Sequence, residues 1–289
     1  MRTFLHFLKK QLIISMSSIG TMWTLLEICE SLYAGSISDS VQKCLLLLSA
    51  VFWPLLLLIY ENCFFSCPVG HSCTLRIRLG SILRKKRGAI LVNINNELLE
   101  HGVQFKSESL HGRLLHGKDR RHIFFSIVSE REKFQALKTA PPIGHHFDVF
   151  TSKQHFLFLV ASRLNRFRVP ETTPGDLLTA LHTLFSEQSS LHIGSRTLYT
   201  PVIGTTSCGI NISYDEAIES IAREYIICCE DKDPNSPNRI QTLEIVIPWK
   251  DRIRIRNWSE TCSNIRTMTQ LCGSCLQLKT ARNAGKETP

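Results

Sequence analysis

Cys44 to Tyr60, CLLLLSAVFWPLLLLIY, is a run of seventeen residues without a charge, bounded by Lys43 and Glu61. As a helix it would cover roughly 26 Å, close to the ~30 Å hydrocarbon core of a bilayer. Nothing downstream resembles it. Residues 62–289 are mixed, strongly charged and rich in strand-like alternation. The pattern predicts a membrane anchor carrying one substantial globular head.

A second uncharged segment, Gln11 to Leu26, follows Lys9 and Lys10 and gives way to Glu27 and Glu30. Its small and hydroxyl residues, with Ser17 and Thr21, and Gly20 and Thr24, spaced one helical turn apart, suit close helix packing in lipid. Glu27 and Glu30 share a helix face, at an interface or toward a helix partner. The competing reading is a cleaved signal peptide, with Arg2, Lys9 and Lys10 ahead of the apolar stretch and Ala34-Gly35-Ser36 as the cleavage site. The second apolar span so soon afterwards favours a hairpin anchor. Arg2, Lys9 and Lys10 precede the first span, and Arg76, Arg78 and Arg84 to Arg87 follow the second. Positive residues stay inside, so both termini and the head are expected to be cytoplasmic, at the inner membrane.

Eleven cysteines, an odd number, fit a reducing compartment. Cys63, Cys67, His71 and Cys73, and separately Cys262, Cys272 and Cys275, lack the repeated Cys-x-x-Cys pairs of a zinc site, so reduced thiols are expected and no metal or cofactor. The formal charge of +9 invites a nucleic-acid reading. The cations form no single stripe and no recognition motif, so no nucleic-acid partner is expected. Their concentration after the anchor and from Lys250 onward suits anionic lipid.

The head reads as α/β. Strands are predicted at Thr74–Leu79, Ala89–Ile94, His122–Val128, Phe156–Ala161, Thr197–Ile203 and Thr242–Pro248. One helix starts at Thr173-Pro174 and another at Ser213, whose Glu216 has capping-box spacing. Alternating strands and helices imply a largely parallel sheet covered on both faces. Arg252, Arg254 and Arg256, alternating with Ile253 and Ile255, would suit an edge strand.

Chemistry is expected at strand ends. Pro201 to Ile210, between a strand and the capped helix, carries Gly204 and Gly209 for close backbone approach and Thr205, Thr206 and Ser207 for hydroxyl and amide donors, beside Cys208. Such a turn before a helix start suits a diphosphate. Asn93 to Glu97 places amides and a carboxylate at another strand end. Ser107 to Gly112 is a polar loop beyond it, with Ser109, Leu110 and His111; His111 by itself reads as an ordinary surface histidine.

Together these segments resemble the macro-domain family, which binds ADP-ribose-type ligands. The counterparts are Gly80-Ser81-Ile82, Ala89 to Asn96, Ser107 to Gly112, and Pro201 to Ile210. Ser81 stands where the family has an aspartate that contacts the adenine amino group. The chain is more closely similar to the macro-like effectors of bacterial Thoeris anti-phage systems, in Asn96-Glu97, Ser109 to Gly112 and Ile203-Gly204-Thr205. The resemblance implies a transmembrane helical hairpin (residues 1–62), a macro-like three-layer α/β/α domain (63–249) and a basic C-terminal extension (250–289). It implies a sensor without enzymatic activity. A TIR-domain enzyme would make an ADP-ribose-containing signal nucleotide, the head would bind it, and the membrane part, self-associating in the bilayer, would damage the membrane. Two alternatives stay open: an ADP-ribosyl hydrolase with Glu97 as its acid or base, and a basic membrane adaptor with no small ligand.

Overall fold

The alternation of Leu75, Ile77 and Leu79 with Arg76 and Arg78 is realised in the computed structural model as a strand whose apolar side is buried and whose arginines are exposed. The chain divides into two units, residues 1–63 and 64–289. The structure describes residues 20, 23, 24, 26, 27, 41 and 63 of the first. Of the second it describes 64–70, 72–85, 87–98, 110–164, 166, 170–187, 196–203, 212–230 and 240–284.

In the first unit the described residues are helical. Thr24 Oγ1 donates to the Gly20 carbonyl at 3.0 Å, and Trp23 Nε1 donates to Glu27 Oε1 at 2.7 Å. Among the described residues no helix is long and apolar enough to cross a membrane. Most of Gln11–Leu26 and all of Cys44–Tyr60 lie outside them.

The second unit is built on one mixed sheet. Its strands are β1 (Phe64–Val69), β2 (Cys73–Leu79), β3 (Ala89–Asn95), β4 (His146–Phe150), β5 (His155–Leu164), β7 (Thr197–Thr200) and β8 (Thr242–Ile247), in the order β1-β2-β8-β7-β3-β5-β4. The short β6 (Pro170–Glu171) pairs with β5. The five central strands run parallel, and β1 and β4 are antiparallel edges. The core of β3 is apolar on both sides, from Ala89 to Val92, as a central parallel strand requires.

Ile90, Val92 and Ile94 of β3 and Phe156, Phe158 and Val160 of β5 form one side. There they meet Leu114 of α1 (Leu110–Leu115) and Ile123 and Ile127 of α2 (Arg120–Ala136). Burying each such side chain contributes roughly 1.5–3 kcal/mol. The helices α3 (Pro174–Ser186), α4 (Tyr214–Glu230) and α5 (Trp258–Ala284) contribute nothing to that cluster. Instead α3 packs on β5, α4 lies between α3 and α5, and α5 packs on β1. Phe185 and Tyr225 meet edge to face at 5.5 Å, and the Tyr225 hydroxyl donates to the Ile240 carbonyl.

The strand expected at His122–Val128 is a correction: these residues belong to α2. Only Ile123 and Ile127 of them are buried, one helical turn apart, while Phe124 and Phe125 face outward. The edge strand expected around Arg252–Arg256 is also corrected. Trp249–Arg254 forms a 3-10 turn, closed by Asp251 N donating to the Pro248 carbonyl, and α5 follows. Both helix starts read from the sequence are present. Thr173 and Asp176 cap α3 reciprocally, and Ser213 and Glu216 do so for α4 at 2.8 and 3.2 Å.

Candidate functional site

β3 and β7 are adjacent and parallel. After β3 the chain passes to α1 and α2; after β7 it passes to α4. The C-terminal ends of two such strands are the place where open α/β sheets take ligands. The segments singled out in the sequence flank it. Asn96 and Glu97 follow β3, Ile203 follows β7, and Gly80, Ser81 and Ile82 follow β2 along the same edge. Ser109 and Gly204, Thr205, Thr206, Ser207, Cys208, Gly209 and Ile210 lie outside the described residues.

The β3 end is tightly held. The register with β5 shifts between Ile94 and Asn95. The buried Asn95 side chain accepts from the Glu97 amide at 2.9 Å, and Asn96 N donates to the Ser162 carbonyl at 2.9 Å. Asn96 Oδ1 accepts from Leu164 N at 3.1 Å. The Asn95 side chain therefore closes the turn on itself, and the Asn96 side chain fastens it to β5. Leu98 closes it at φ 45° with its side chain fully buried. Glu97 is half-buried beyond this turn.

Leu110, His111 and Gly112 open α1 on the face bearing Phe158. His111 is buried, not the surface histidine expected. Its ring meets Phe158 edge to face at 5.8 Å, and burial pushes its pKa down to about 4. The imidazole is neutral at physiological pH. Its position could not be read from the sequence, because it depends on how α1 packs over β5.

After β2, Gly80 N donates to the Ile247 carbonyl at 2.8 Å. Ser81 is exposed, and Ile82 and Leu83 pack on the same apolar cluster as Leu110 and Leu115. Lys85 forms an ion pair with Glu244 and lies 5.1 Å from the centroid of the Tyr199 ring. Gln154 Nε2 donates to the carbonyls of Leu83 and Lys85 at 2.8 and 3.0 Å. The Gly80–Ile82 segment thus rests on a rigid support.

On the β7 side, Thr200, Val202 and Ile203 are buried. Across the undescribed loop, Glu216 accepts from the Ser213 amide, and Ser213 holds its carboxyl below the usual range. Asp215 accepts from Arg256 N at 3.0 Å and from the Thr261 hydroxyl at 2.8 Å. Two carboxylates already balance the positive end of α4, so an anion here depends on the amides of the loop itself. A neighbouring groove is lined by Pro174, Leu177, Leu178 and Arg223, but Glu216 and Glu219 at its rim oppose a diphosphate. Among the described residues no group of His, Cys, Asp and Glu is arranged to hold a metal ion. The sequence reading passed over Trp249, 62% exposed just beyond β8; its signal was an aromatic directly after the strand-ending Pro248.

Residues 75–247 match the family described as Thoeris protein ThsA, Macro domain. No curated protein matches the chain. Among solved structures, the Oceanobacillus iheyensis macrodomain with ADP is 16% identical, with a TM-score of 0.46, and the alignment covers 72% of this chain and 95% of that one. The macrodomain of Thermus aquaticus DarG is 14% identical, with a TM-score of 0.42, over 60% of this chain and 97% of that one. The family match spans more than half of the sequence and runs from within β2 to the end of β8; the chain belongs to the Thoeris ThsA macro-domain family.

Proposed function

We propose that the head binds an ADP-ribose-type nucleotide between the ends of β3 and β7, as the sensor of a membrane-anchored anti-phage effector. The observation that carries the reading is membership of the Thoeris ThsA macro-domain family, together with the adjacent parallel placement of those two strands. The diphosphate lies against the backbone of Gly204 to Gly209. The base lies toward Gly80 to Ile82, and Leu110 to Gly112 form the wall. A TIR-domain enzyme supplies the signal. Residues 1–62 form the hairpin in the bilayer, with the head cytoplasmic, and ligand favours a self-associated, membrane-disrupting state over the resting one. Ligand must bind the two states with different affinity to do so.

The test is dye leakage from vesicles containing the full chain, with and without ADP-ribose conjugates, beside a binding titration. Gly20→Leu in the first apolar segment is expected to abolish leakage and leave binding intact; in the structure a Cβ at Gly20 meets nothing within 4 Å. Leakage that ignores ligand in the unmodified chain contradicts sensing. Release of ADP-ribose from an ADP-ribosylated protein by the chain would replace the sensor with a hydrolase.

A further inference from the structure

We propose that the 3-10 turn Trp249–Arg254 and the adjoining Arg256 form a docking surface for an anionic bilayer, which seats the head edge-on against the membrane. The inference rests on the membrane-anchor reading for its geometry and adds a second contact to it.

Topology supplies the first observation. β1 runs antiparallel to β2, with Phe64 opposite Arg78. β2 runs parallel to β8, with Leu79 opposite Ile247. The first residue of the head and the turn after β8 therefore lie at the same end of the sheet. Tyr60, the last residue of the long apolar run, precedes Phe64 by four positions.

The composition of the turn is the second observation. Ile253 is 89% exposed, and Trp249, four residues earlier in the same turn, is 62% exposed. Lys250, Arg254 and Arg256 are also exposed. The only carboxylate between Trp249 and Arg256 is Asp251, which is buried and lies 3.3 Å from Arg254 Nε. The turn is also firmly placed: Arg252 stacks 5.2 Å from the centroid of the Trp258 ring, and Ile255 is buried. Exposed Trp and Ile side chains on a cationic turn insert at the headgroup boundary while the cations meet anionic lipid. Two isolated apolar side chains are too small a footing for a stable protein interface, which needs on the order of 800 Å² per partner.

The test uses the full chain reconstituted in vesicles whose acyl chains carry bromine, a short-range quencher of tryptophan fluorescence. The difference between the unmodified chain and Trp249→Phe isolates Trp249. Its emission is expected to be quenched in vesicles containing phosphatidylglycerol and to lose most of that quenching in pure phosphatidylcholine. Lys250→Glu with Arg256→Glu is expected to abolish the phosphatidylglycerol dependence. Ile253→Ser, at a position the fold leaves almost bare, is expected to reduce quenching without affecting folding. An unquenched Trp249 in the anionic vesicles, or equal quenching in the charge-reversed chain, overturns the proposal. Alkaline carbonate extraction keeps the two readings apart. A chain released by carbonate whose Trp249 was quenched beforehand removes the hairpin and upholds this contact; a retained chain with unquenched Trp249 does the opposite.

Discussion

β2 and β8 end side by side, at Leu79 and Ile247, yet the segments that leave them are arranged in opposite ways. After β2 the chain folds back over the sheet. Its apolar residues Ile82 and Leu83 join the core, Lys85 meets the buried Glu244, and Gln154 clasps two of its carbonyls. After β8 the chain turns outward and presents Trp249 and Ile253 to solvent. The first continuation is scaffold: its polar groups hold the backbone in place. The second is surface: its exposed apolar groups do little for the fold. A shared sheet edge thus carries one segment folded into the core and one turned to solvent.

The sharpest way to break this contrast is Lys85→Met. It leaves Glu244, only 7% exposed at its side chain, without its cation, and removing one partner of a buried pair typically costs about 3–5 kcal/mol. Denaturant unfolding of the full chain should show that loss, and adding Glu244→Leu should recover most of it. If Lys85→Met is as stable as the unmodified chain, the folded-back segment is not held by this pair.

The next largest effect is one of pH. Burial depresses the pKa of His111 from 6.5 to about 4, so protons bind the unfolded chain more readily than the folded one. This contribution to stability is complete above pH 6.5 and is lost as pH falls toward 4, by up to about 1.4 kcal/mol per unit. Unfolding free energies measured across that window should carry the slope, and His111→Phe should flatten it. Gln154→Ala comes next, at about 1–2 kcal/mol for two lost hydrogen bonds to backbone. Smallest is Ile253→Ser, whose unfolding midpoint should correspond to a change within about 0.5 kcal/mol. A large loss there would mean that the outward turn is scaffold after all.

The same contrast explains what could be read from the sequence. Ala89 to Ile94 and Phe156 to Ala161 announced themselves because a central parallel strand is apolar on both sides. Thr173 and Ser213 did so because a cap is a local bond between residues three apart. His122 to Val128 misled because a seven-residue stretch with five apolar residues carries both periods; the spacing of Ile123, Ile127 and Glu130, all buried, marked the helix. β1 was missed although Phe65, Cys67 and Val69 alternate with Phe64, Ser66 and Pro68. Pro68 obscures the alternation, and an edge position is where a strand tolerates a proline. Asn95 and Asn96 were recognised as special residues, but their partners, Glu97 N and Leu164 N, follow from a register shift that no local pattern encodes.

The central claim is that the edge between β3 and β7 holds an ADP-ribose-type nucleotide. Its most direct test is a calorimetric titration of the full chain in lipid nanodiscs with ADP-ribose and its conjugates, repeated with Gly204→Glu. The account predicts saturable binding of at least one of these ligands and a loss of more than about tenfold in the variant, equivalent to at least ~1.4 kcal/mol. No binding of any of them, or equal affinity in a folded Gly204→Glu chain, would contradict it.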